Sequence, residues 1–367
     1  MKTFLLEDFY EKHEFTAKYL LSQSDCESMS IGDLLAIEPD AAERFQKLWL
    51  GYTEVKGSLY LRERIAALYE TCTPQDILVH AGAEEAIYGF MQVFLERGDH
   101  VVYLSPAYQS LYEVAASVGC EVSPWALRQT QDGWMLDMDE LISLIKPQTK
   151  LIVINTPHNP TGYVLSDEQL KTVAAIARER NIFVFCDQVY KGLEWDGQQH
   201  SWMSDLYENA VSLGVMSKAY GLPGLRIGWI ATRNKEVFER MLKLKFYTTI
   251  CCSAPSEFLS ALALAHCDQL LKRSVTIIQD NMAIAEGFFN KHADRFVNNR
   301  PAAGPVAFHK LKSGADGTDF CEELIRQSGV LLLPGAVYET DGSYFRMGYG
   351  RKNFAECLGK LDDYLQK

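Results

Sequence analysis

The chain lacks any apolar stretch long enough to cross a bilayer, so no membrane-spanning helix is expected. It is also short of positive charge. Thirty-six Lys and Arg stand against 48 Asp and Glu, a net charge of -12, which argues against a dedicated nucleic-acid surface. The nine cysteines are odd in number and have neither zinc-site spacing nor a paired secreted framework, even at Cys251-Cys252. A reduced, cytoplasmic compartment is the simplest account of them. None of the eight histidines forms an H-E-x-x-H pair, and no metal is expected. Repeats and low-complexity tracts are missing too. The opening Met1-Lys2-Thr3-Phe4-Leu5-Leu6-Glu7-Asp8 reaches acids too soon for a secretory signal.

What is present is a chain of 367 residues, long enough for a large core and more than one domain. From about residue 52 to 272, apolar runs alternate with helical periodicity, the pattern of an α/β fold with a mostly parallel sheet and helices on both faces. Strands are predicted at 101–104, 151–155, 182–187, 211–215 and 227–232, and helices at 59–69, 84–95, 167–180 and 235–246. After a helical stretch at 275–290, strands at 306–311, 330–333 and 344–347 predict a smaller α+β domain. The expected boundaries are an N-terminal arm at 1–50 packing with the small domain, a large domain at 51–272 and a small domain at 273–367.

Five segments carry chemistry. Lys218 lies in Ser217-Lys218-Ala219-Tyr220-Gly221-Leu222-Pro223-Gly224-Leu225-Arg226, a Gly-interrupted loop suited to a lysine that attacks an aldehyde. Desolvation or a nearby cation favours loss of its proton, and Arg226 supplies a cation with a rigid fork for an oxyanion. Ile182-Phe183-Val184-Phe185-Cys186-Asp187 reads as a buried strand ending in an acid, which places Asp187 at the carboxyl edge of a sheet, where α/β proteins bind ligands. Leu151-Ile152-Val153-Ile154-Asn155 runs into Thr156-Pro157-His158-Asn159-Pro160-Thr161-Gly162, a proline-stiffened turn presenting Asn159. His158 reads as scaffold. Val79-His80-Ala81-Gly82-Ala83-Glu84-Glu85 reads as a strand–turn–helix junction whose amides suit phosphate. Arg346, in Tyr344-Phe345-Arg346-Met347, faces away from its apolar neighbours and offers a bidentate partner for an α-carboxylate. Arg351 reads as capping or solvating the last helix. The Gly221/Gly224/Gly228 spacing follows the lysine instead of opening a βαβ unit, so a dinucleotide site is rejected.

In this order, these segments resemble the class I/II aminotransferases, fold-type I enzymes that use pyridoxal 5′-phosphate (PLP). The resemblance covers nearly the whole chain. It implies a Schiff base between PLP and Lys218, with Asp187 at the ring nitrogen and Tyr190 and Asn159 at the ring oxygen. It places Tyr108, in Ser105-Pro106-Ala107-Tyr108, as an aromatic plate over the ring, and Gly82, Ala83, Glu84, Ser217 and Arg226 around the phosphate. Glu84 is an unusual acid for that position, so its carboxylate is expected to point away. Val215 stands where many relatives carry a phosphate-binding hydroxyl, which shifts the load onto Ser217, Arg226 and the backbone amides. Arg346, with Asn159, would take the substrate carboxylate. Tyr52, in Gly51-Tyr52-Thr53, resembles the tyrosine that family members lend to a neighbouring subunit, implying a homodimer with shared sites.

The implied reaction is transfer of an amino group from an L-amino acid to a 2-oxo acid. Two alternatives stay open. Segments 105–110 with Trp125, 217–229 and 330–335 also resemble capreomycidine synthases, which cyclise a hydroxylated arginine. Because Asp187, Lys218 and Arg346 serve elimination or cyclisation equally well, they do not choose between the reactions. A non-catalytic PLP-binding regulator is the third reading, and it calls for an added DNA-binding module that this N-terminus has no room for.

Overall fold

The computed structural model describes residues 1–131, 133–195 and 200–366. Along the chain, β1 (Tyr19–Leu20) precedes a run of eight strands: β2 (Ile77–His80), β3 (His100–Ser105), β4 (Glu121–Thr130), β5 (Gly133–Leu136), β6 (Thr149–Asn155), β7 (Phe183–Asp187), β8 (Ala210–Val215) and β9 (Gly228–Ala231). These eight form one sheet in the order β2-β9-β8-β7-β6-β3-β4-β5. Its five central strands, from β8 to β4, are parallel. β9 runs antiparallel to both neighbours, and β5 folds back on β4 as a hairpin.

Alternation along the parallel strands sorts side chains to two faces. Leu151, Val153 and Phe185 pack with Ile87, Phe90 and Met91 of helix Ala83–Phe94. Ile152, Ile154, Val184 and Cys186 pack on the opposite face with Leu170, Val173 and Ala177 of helix Asp167–Arg180. Both faces are therefore buried, which is why these strands read as unbroken apolar runs. Helix Asp167–Arg180 is bounded by local chemistry: Ser166 and Gln169 form a capping box, and Asn181 closes the last turn at φ 54.

A second sheet contains β10 (Phe296–Val297), β11 (Val306–Leu311), β13 (Leu333–Pro334) and β14 (Tyr344–Gly348), in the antiparallel order β10-β11-β14-β13. The strand predicted at 330–333 is split, because its first half, β12 (Val330–Leu331), pairs instead with β1 of the N-terminal arm. The arm also reaches the large sheet's helices, where Lys2 and Leu5 donate backbone N–H bonds to Glu113 and Gln109. A continuous helix, Cys267–Lys291, runs across position 272/273. No described helix is long and apolar enough to cross a membrane.

Candidate active site

Asn155 and Asp187 end β6 and β7 directly opposite one another in register. The strands stop there together, and the side chains that follow them open into a cavity of about 300 Å³. Of the residues singled out from sequence, Ala83, Glu84, Tyr108, Asn159, Asp187, Tyr190, Ser217, Lys218, Arg226 and Arg346 all line it. Gly82 sits immediately behind, as the N-cap of helix Ala83–Phe94 at φ 91. Tyr52 does not line the cavity. It is 93 % exposed on the surface of the same chain.

The Lys218 ammonium donates to Ser24 Oγ at 3.0 Å. Burial lowers its pKa, and Arg346 adds to the effect against the opposing charge of Asp25. Asp187 is buried, and the N–H of Val189 donates to its Oδ1 at 3.2 Å. Burial pushes its carboxyl up to about 7, against the pull of that bond and of Lys218. A raised folded-state pKa means that the folded chain holds this proton after the unfolded chain has released it. Asp187 therefore costs stability progressively from about pH 4 to about pH 7 in the ligand-free protein. Asp187→Asn is expected to raise the melting temperature of the apoprotein more at pH 8 than at pH 5. An equal shift at both values, measured by thermal unfolding, would contradict the burial account.

Arg346 is 1 % exposed and fully engaged. Its Nη1 donates to Tyr338 Oη at 2.6 Å and Asn159 Oδ1 at 3.1 Å, and its Nη2 to Tyr10 Oη at 2.6 Å and Ser22 O at 2.8 Å. Asn159 is itself fixed from behind, since its N–H donates to Asn155 Oδ1 at 2.7 Å. Tyr10, Ser22, Ser24, Asn155 and Tyr338 were not foreseen. Only Asn155 had a local signal, as the polar end of an apolar strand. Arg351 corrects an expectation. It lines the cavity and clasps both oxygens of Asp25 at 2.8 Å instead of serving the last helix. His158 is buried against Thr161, at 2.8 Å.

PLP fits this donor set. At the phosphate end, a Cβ on Gly82 would lie 2.6 Å from Arg226 Nη2, and one on Gly228 would lie 2.7 Å from the Gly82 carbonyl carbon. Glycine alone lets the guanidinium and the helix start come this close, leaving an exposed Arg226 fork beside the first turn of helix Ala83–Phe94. Arg226 Nη1 is 3.4 Å from Ser217 Oγ. At the other end, the buried Asp187 carboxyl suits a protonated ring nitrogen. Glu84 lines the cavity and accepts from Ser110 Oγ at 3.2 Å, and loss of solvation beside the surrounding protein, with the charges of Glu7 and Asp187, raises its carboxyl pKa. Tyr108 donates to Glu7 at 2.8 Å.

Comparison with known proteins agrees with this geometry. The family described as "Aminotransferase class I and II" matches residues 18–357. A PLP-dependent aminotransferase from Streptococcus suis superposes with a TM-score of 0.93 at 32 % identity, covering 100 % of this chain and 98 % of that one. The PLP-dependent cyclase OrfR superposes with a TM-score of 0.92 at 26 % identity, covering 100 % and 97 %. Capreomycidine synthase from Streptomyces vinaceus is 29 % identical over 91 % of this chain and 86 % of its own length. With one profile spanning nearly the whole chain, and a site that fits the cofactor, this protein belongs to the class I and II aminotransferases and is a PLP-dependent enzyme.

Proposed function

We propose that Lys218, Asp187 and Arg346, opening into one cavity, move an amino group from an L-amino acid to a 2-oxo acid. PLP supplies the aldehyde for Lys218 and the electron sink that makes a Cα proton removable. Arg346 holds the substrate α-carboxylate, exchanging its bonds to the Tyr10 and Tyr338 hydroxyls for two to carboxylate oxygens. Asn159, already bonded to Arg346, links that carboxylate to the ring end of the site. With PLP bound, Lys218 Nζ would accept the proton from Cα and deliver it to the carbon on the other side of the substrate nitrogen, a task that its depressed pKa favours. Asp187 keeps a proton on the ring nitrogen, and Tyr190 and Asn159 bond the ring oxygen. Tyr108 covers the ring, while Gly82, Ala83, Glu84, Ser217 and Arg226 surround the phosphate.

The working unit is a cytoplasmic homodimer in which Tyr52 reaches the partner's phosphate. Its exposure supports this, as do the exposed Trp49 and Leu50 beside it. The nine unpaired cysteines support a reducing compartment. The chain divides into an arm at 1–50, a large domain at 51–272 and a small domain at 273–367, with helix Cys267–Lys291 bridging the last two. The likeness to a cyclase and to capreomycidine synthase favours, as a second reading, expulsion of a leaving group from the substrate after loss of the same Cα proton.

The two arginines separate substrate binding from cofactor binding. Arg346→Ala is expected to lower kcat/KM by roughly thirty- to hundredfold, the worth of about 2–3 kcal/mol of charge-assisted bonding, with PLP retained. Arg226→Ala should show the opposite pattern, with loss of PLP affinity dominating. If Arg346→Ala loses the cofactor and regains normal kcat/KM when PLP is restored, the substrate carboxylate is held elsewhere.

A further inference from the structure

Glu85 follows Glu84 yet lines none of the cavity, and its two carboxylate oxygens serve two different loops. Oε2 accepts the N–H of Ala81 at 2.6 Å, in the turn that leads into helix Ala83–Phe94. Oε1 accepts the hydroxyls of Thr248 at 2.7 Å and Thr249 at 2.8 Å, beyond the end of helix Lys235–Lys245. Behind Thr249, the 1 % exposed Lys245 donates to its Oγ1 at 2.8 Å. Burial opposes ionisation of Glu85, but the His80 ring 3.6 Å away and the donors of Thr248 and Ala81 hold its pKa well below the usual carboxylate range. It is therefore an acceptor at both ends.

The loop at the far end is under local strain. Ile250 is β-branched yet sits at φ 61, a conformation that persists only where surrounding contacts impose it. Phe246, Tyr247 and Ile250 are exposed there, and Thr53 donates to the carbonyl of Cys252 at 2.9 Å, tying this loop to the segment that carries Tyr52. At the near end, the Ala81–Ala83 backbone is confined between Arg226 and Gly228. Hydrogen bonds to a bound anion weaken steeply as donors turn out of line, so a small rotation at Ala81 is felt by the ligand.

We infer that Glu85 is a positioning residue for the phosphate end of the site, fixing the Ala81–Ala83 backbone to the loop at 248–252 so that order in the loop is transmitted as affinity for phosphate. This rests on the reading of the helix start as the phosphate cup. In the proposed dimer, a second copy covering Tyr52 and Tyr247 reaches the cup by the same route.

The test compares PLP with pyridoxal, which has the ring and aldehyde but no phosphate, by fluorescence titration of the full-length apoprotein. Glu85→Gln keeps the shape but presents an amide donor to one loop. It is expected to weaken PLP by about tenfold or more while changing pyridoxal by less than about twofold. The double variant Thr248→Val/Thr249→Val should move in the same direction, and Thr248→Ser/Thr249→Ser should restore binding. Equal loss of both ligands would mean a merely structural role and would overturn the inference. Loss in Glu85→Gln with no loss in the valine pair would overturn the link to the loop. Wild-type protein that binds PLP no more tightly than pyridoxal would instead overturn the phosphate-cup reading itself.

Discussion

Replacing Lys218 with alanine is expected to cost roughly ten-thousandfold in turnover, because one amine both carries the cofactor and moves the Cα proton. Among the described residues, no other lysine lines the cavity to substitute for it. Its environment is suited to the task. The side chain is half-buried, donates to Ser24 and lies close to the Arg346 charge. The same substitution should abolish the visible absorption of the PLP-loaded protein and the covalent attachment of cofactor by borohydride. Near-normal turnover in Lys218→Ala, or a reduced adduct mapped to another lysine in the wild type, would refute the assignment.

Asp187→Ala is expected to retain much of the cofactor but lose turnover by roughly a hundred- to thousandfold, the usual effect of removing one fixed electrostatic group from a reaction centre. On the proposed reading, Arg226 and the helix start would still hold the phosphate, so binding should survive. What would disappear is the charge proposed to keep the ring nitrogen protonated. Because burial disfavours the Asp187 carboxylate until a cation arrives, cofactor and acid stabilise one another. Measuring PLP content alongside kcat separates the two effects. A fully loaded Asp187→Ala protein with wild-type kcat would show that the ring needs no carboxylate here.

How much of this site can be read along the chain depends on how local its cause is. Asp187 and Asn155 end strands whose apolar runs declare burial on both faces, and parallel strands bring their carboxyl ends to one edge. The loop at Lys218 and the turn at Asn159 are specified by Gly and Pro over a few residues. The Arg346 cage has no such signature. Tyr10 and Ser22 lie 336 and 324 positions away along the chain, and they arrive with the N-terminal arm, which pairs with β12 through β1 and is tied to Glu113 and Gln109 near its start. Arg351 was misjudged for the same reason, since its partner Asp25 is 326 positions distant. β4 carries a weak strand signal of its own, because its burial does not alternate cleanly and a proline, Pro124, lies within it. The reversed direction of β9 is likewise set by its neighbours β2 and β8, not by its own residues.

The central claim is that nitrogen leaves one amino acid and enters another. Purified holoenzyme, incubated with a panel of ¹⁵N-labelled L-amino acids and an unlabelled 2-oxo acid, tests it directly by mass analysis of the products. The account predicts a 2-oxo acid from the donor and the ¹⁵N label in the new amino acid formed from the acceptor. Label retained in a cyclised product, or released as ammonium with an eliminated one, would contradict amino transfer and assign this site to the cyclising or eliminating reaction.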